Sequence, residues 1–116
     1  MRKTLYLMLL LLFPVLAADI SGTWDFSVNL DAGTGNPVFT FQQQGERLTG
    51  TYKGLLGEAK VTGTVKADKV EFSFEGEYGG DKVKVEYTGA IESATSMKGT
   101  LRLAGLGEGT WTGKKK

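Results

Sequence analysis

Residues 69–91 read KVEFSFEGEYGGDKVKVEYTGAI. Val70, Phe72 and Phe74 alternate with Lys69, Glu71, Ser73 and Glu75; beyond Gly79-Gly80, Val83, Val85 and Tyr87 alternate with Lys82, Lys84 and Glu86. A period of two belongs to a strand with one dry and one wet face. A glycine pair between two such runs supplies the positive φ that a tight hairpin turn requires. The stretch is therefore an antiparallel hairpin, and it sets the phase for the rest of the chain.

Working outward, the same alternation predicts eight strands, over 20–30, 38–44, 47–53, 58–66, 69–78, 82–91, 96–103 and 108–114. Short links with turn chemistry join them, and one longer loop, 31–37, follows the first strand. Consecutive hairpins make a meander without parallel crossovers. Trp24, Phe26, Val28, Leu30, Phe39, Phe41, Leu48, Tyr52, Tyr78 and Trp111 share the apolar face with the residues already named, and no charge falls on it. One dry face in every strand fits a sheet closed on itself, so the expected fold is all-β, an eight-stranded antiparallel up-and-down barrel. On the wet face, the acidic segment 69–78 lies between lysine-rich neighbours, which predicts cross-strand charge pairs.

Seven glycines, Gly22, Gly50, Gly63, Gly76, Gly89, Gly99 and Gly109, share the apolar phase, with spacings of 13, 13, 13, 10 and 10 from Gly50 onward. Glycine weakens a strand unless a bend or close approach needs it. Two uses are open: sharp coiling of the wall, and space for a ligand.

Residues 1–17 precede this pattern. Arg2 and Lys3, an apolar run from Leu5 to Leu16 and the small residue Ala17 are expected to form a cleaved secretory signal, leaving a single barrel domain at 18–116 in the periplasm or outside the cell. The apolar run is too short to span a bilayer, so no membrane anchor is expected after cleavage. Of 14 basic and 13 acidic residues, two basic ones lie in the signal, so the remainder is near charge balance and carries no basic footprint for nucleic acid. The chain has no Cys and no His. That removes thiol nucleophiles, Ser-His-Asp triads, and Cys/His zinc, haem and iron–sulfur sites. The strand acids all face outward, where no pair converges in a cleft. No enzyme activity, cofactor or metal is expected.

Gly22-Thr23-Trp24 resembles the Gly-x-Trp signature that plugs the closed end of calycin barrels, and Leu48-Thr49-Gly50-Thr51-Tyr52 with Glu58-Ala59 is similar to the third and fourth strands of the avidin and streptavidin branch. The resemblance implies a closed end at Trp24, with Trp111 as a second plug residue, and a ligand mouth at the other end with Tyr52 as a contact. It also places the family's polar biotin contacts at positions where this chain has Phe26, Leu30 and Gly54, so biotin binding is not expected.

In a meander the links after alternate strands share one end, which gathers Leu55, Leu56 and Leu106 at the mouth. These leucines fit three uses: a rim admitting a small apolar molecule, a cap over a filled barrel, or a protein contact. Tyr52, Tyr78 and Tyr87, with Gln43, are the inward hydrogen-bonding groups. The expected ligand-binding residues are Tyr52, Leu55, Leu56, Leu106, Phe26 and Leu30, and the expected function is non-enzymatic binding of a small hydrophobic ligand. The alternative is a protein-interaction or inhibitor-type barrel with a filled core.

Overall fold

The computed structural model describes residues 18–116; the expected signal segment lies outside them. Nine antiparallel segments follow in chain order: β1 (Gly22–Leu30), β2 (Gly33–Gly35), β3 (Val38–Gln44), β4 (Arg47–Gly54), β5 (Gly57–Lys66), β6 (Lys69–Tyr78), β7 (Asp81–Ser93), β8 (Ser96–Leu103) and β9 (Gly107–Lys115). Each long strand pairs with the next, and β1 pairs with β9 from Trp24↔Lys115 to Leu30↔Gly109, so eight strands close a barrel.

The short β2 departs from the expected 31–37 loop. Gly33-Thr34-Gly35 has no apolar alternation to announce a strand; it is held by backbone pairing to the end of β1, Val28↔Gly35 to Leu30↔Gly33. The first strand is also shorter at its start than the pattern suggests. Gly22 takes a φ of 130°, a bend that favours glycine, and the preceding segment turns beneath the barrel. Ile20 is buried there. Its N–H donates to the Gln43 side-chain oxygen at 2.9 Å, and its carbonyl accepts from the Trp24 indole N–H at 2.9 Å. Ile20 and fully buried Trp24 thus close one end. Gln43, expected to face the interior, ties this closing segment in place instead.

The wall glycines act as coiling points. A Cβ on Gly99 would strike the Thr88 carbonyl and fall 2.5 Å from the Gly89 Cα; one on Gly63 would fall 2.6 Å from the Phe72 Cα. The backbones of neighbouring strands approach where those side chains are missing, which lets a small barrel bend its wall. Gly113, outside the repeat, serves the same end by making room for the Phe26 ring, 2.7 Å from where a Cβ would sit.

Outside the barrel, Glu75 and Glu77 stand opposite Lys84 and Lys82 across β6 and β7, as the charge pattern implies. Across β5 and β6 the opposed residues are Thr64↔Glu71 and Lys66↔Lys69, so that flank does not alternate in sign. The ion pairs that close among the described residues are Lys98–Glu92 at 3.2 Å and Lys116–Asp25 at 3.6 Å, both exposed and worth little each.

Candidate functional site

The inner face fills the two halves of the barrel differently. At mid-barrel, Phe26 stacks on Trp111 with centroids 4.7 Å apart, and Phe72 stacks on Tyr87 at 4.9 Å. Phe39 touches both Phe26, at 4.5 Å, and Phe72, at 5.2 Å. The Trp111 indole N–H donates to the carbonyls of Thr100 at 2.9 Å and Thr88 at 3.2 Å, reaching them over Gly89, where a Cβ would stand 2.5 Å from the indole ring. Such ring pairs contribute about 0.5–1.5 kcal/mol each beyond area burial. Together they form a solid floor.

Above that floor the inward residues shrink to Val28, Val85, Leu101 and Leu103, and a cavity of about 480 Å³ opens among them. Its volume falls in the range of about 300–1,000 Å³ found for small-molecule sites. Tyr52, Tyr78 and Tyr87 also line it, as do Leu30, Leu55, Leu56, Leu106 and the 31–37 segment. Five of the six expected binding residues therefore come together. Phe26 does not: it lies below, stacked on Trp111. Trp111 is accordingly a mid-barrel floor residue, and the end plug belongs to Trp24 with Ile20.

The rim is partly fixed. The Leu56 N–H donates to the Tyr52 hydroxyl at 3.2 Å, and the Leu56 carbonyl accepts from Glu77 N–H at 3.0 Å. Gly76 leaves room for this loop, since a Cβ there would fall 2.6 Å from that of Leu56. Leu56 is half-buried against the core, whereas Leu55 is 83% exposed and Leu106 49% exposed. Tyr78, expected to point inward with Phe72 and Phe74, is 61% exposed because β6 ends there and its last residue flares to the rim.

Tyr52 and Tyr87 supply the buried hydroxyls. Tyr52 stacks on Phe74 at 4.1 Å. Burial pushes its phenol above the ordinary value, with the hydrogen bond from Leu56 opposing that shift. Tyr87 is 3% exposed; burial, and after it the neighbouring Tyr52, push its phenol strongly up, so it stays protonated and neutral. Sequence alternation places both tyrosines inward but cannot tell which one the rim loop engages. Asp31 and Glu108 are the charged residues that line the cavity. Among the described residues no group of three or more His, Cys, Asp or Glu side chains could hold a metal ion.

Several solved barrels share this shape. A redesigned β-barrel superimposes with a TM-score of 0.70 at 19% identity, over 90% of this chain and 97% of that one. The fold is theirs. The redesigned barrel mFAP1, bound to DFHBI, matches with a TM-score of 0.62 at 18% identity over 84% of this chain and 94% of that one. The redesigned barrel mFAP0, also bound to DFHBI, matches with a TM-score of 0.61 at 19% identity over 84% and 98%. No known family model matches the chain, and no curated protein is detectably similar in sequence.

Proposed function

We propose that this protein is a non-enzymatic binding barrel, exported from the cytoplasm, that takes a small apolar ligand into its mouth. The observation that carries the reading is the cavity of about 480 Å³, lined by Val28, Val85, Leu101 and Leu103 and open between the leucine-bearing loops. A dry-walled space of that size is costly to leave unfilled, since its lining forfeits contacts that a ligand would restore. The DFHBI-bound barrels support the reading, because barrels of similar fold are bound to a small molecule. The avidin-like reading of the sequence is supported by the positions of Trp24 at the closed end and Tyr52 at the mouth. The isobutyl group of Leu30, which lines the cavity, favours an apolar ligand over biotin.

The test is titration with the neutral fluorophore N-phenyl-1-naphthylamine. Saturable one-to-one binding with a blue-shifted emission is expected, and it should be lost in Leu101→Trp, whose added ring fills the cavity. Dye binding that persists in that variant would place the dye elsewhere and defeat the proposal. A second reading, a protein contact made by the rim, is favoured by the exposure of Leu55, Leu106 and Tyr78. Native mass spectrometry of protein recovered from its host separates the two by the mass of what travels with it. The filled core assumed for a protein-interaction barrel does not fit the open mouth.

A further inference from the structure

Resting on that reading of the mouth, the polar groups inside the cavity narrow the ligand class. Tyr87 lines the cavity and makes no hydrogen bond to any described residue, yet its hydroxyl is not sealed in protein; it lies open to the cavity. The Tyr52 oxygen already accepts from Leu56 N–H, which leaves its own O–H as a donor. Apart from these phenols and the indole N–H groups of Trp24 and Trp111, which are bonded to backbone carbonyls, no polar or charged side chain is buried among the described residues, so the depth of the cavity offers hydroxyl donors with no carboxylate or amide oxygen beside them. At its rim stand the exposed side chains of Asp31, Thr34, Asn36 and Glu108, and no Lys or Arg lines it.

We propose that the ligand is a neutral, mainly apolar molecule whose inner end carries a hydrogen-bond acceptor, a carbonyl oxygen or a ring nitrogen, to which Tyr87 donates. An anionic head would lose its hydration with no cation to meet it and would pass two carboxylates on entry. An acceptor oxygen, by contrast, takes hydrogen bonds from phenol O–H groups that otherwise donate to no described residue. Loss of such a bond leaves a buried group unpaired, and that penalty gives polar sites their selectivity.

Three probes of one shape test this with the full chain: 2-acetylnaphthalene, 2-ethylnaphthalene and 2-naphthoate. The ketone is expected to bind roughly 3- to 10-fold more tightly than the hydrocarbon, and the carboxylate most weakly. In Tyr87→Phe the ketone should lose that advantage while the hydrocarbon keeps its affinity. Equal affinity of ketone and hydrocarbon in the unaltered protein, equal losses for both in Tyr87→Phe, or tightest binding of the carboxylate would each overturn the proposal and leave the mouth reading standing. Binding of none of the three would overturn both. Should Tyr87→Phe not fold, the infrared carbonyl stretch of ketone bound to the unaltered protein decides. A shift to lower frequency than in hexane is expected, and a hexane-like position overturns the assignment.

Discussion

The two ends of this barrel are made from the same strands and the same alternation, yet one is solid and the other hollow. Around Trp24, Phe41, Leu48, Val65 and Met97 the interior is filled and side chains are essentially inaccessible. Around Val28, Val85, Leu101 and Leu103 the inward residues are too short to meet across the barrel, and a cavity of about 480 Å³ remains. An eight-stranded barrel is just wide enough for side chains to fill. Whether it holds a ligand therefore turns on residue size at one end, with the wall unchanged.

That contrast can be broken by experiment, beginning with the largest effect. Trp24→Ala should cost about 3–5 kcal/mol in urea denaturation, since Trp24 is fully buried and its indole N–H holds the closing segment through Ile20. Leu48→Ala should cost about 3–4 kcal/mol, and Leu103→Ala at the mouth only about 1–2 kcal/mol, because Leu103 already borders a void. Equal costs for the two leucines would mean that the mouth is packed like the floor. Enlarging a side chain should reverse the sign of the comparison. Val65→Phe is expected to destabilise by roughly 1–3 kcal/mol through overpacking, whereas Val85→Phe should be neutral or stabilising by up to about 1 kcal/mol and should abolish dye binding.

The fold was largely legible in the sequence because alternation is a local signal. The strands Val38–Gln44, Lys69–Tyr78 and Ser96–Leu103 have the bounds that alternation alone assigns. What alternation could not supply was decided by tertiary contact: Gly33–Gly35 pairs through its backbone, and Ile20 leaves the strand pattern at Gly22 to cross beneath the barrel. The site was legible as a place, with its leucines and tyrosines, but the roles within it were not. Phe26 and Tyr52 both face inward in sequence, yet strand stagger sinks the first into the floor and raises the second to the rim. Which tyrosine remains free depends on a loop hydrogen bond from Leu56 that no periodicity encodes.

Smaller effects sharpen the same contrast. Tyr52 and Tyr87 both have phenols raised above the ordinary value of 10.0. Below that pH folded and unfolded chains alike keep these protons, and the two phenols add no pH dependence to stability. Above it the unfolded chain releases protons that the folded chain retains, so stability should fall as pH rises. Tyr87→Phe should soften that alkaline decline, and an unchanged decline would mean that Tyr87 is not desolvated. At the closed end, Ala67 holds a φ of 54° in the β5–β6 turn. Ala67→Gly should relieve that strain and raise stability by about 0.5 kcal/mol. In the mouth turn, where Gly80 has a φ of 88°, Gly80→Ala should lower it by about 1 kcal/mol.

The hollow mouth above a solid floor is tested most directly by following methyl and amide NMR signals while N-phenyl-1-naphthylamine is added. Saturable shifts concentrated on Val28, Val85, Tyr87, Leu101 and Leu103, with Leu48, Val65 and Met97 unmoved, are the predicted result. Shifts spread over the outer wall, or none at a dye concentration that saturates other apolar sites, would contradict it.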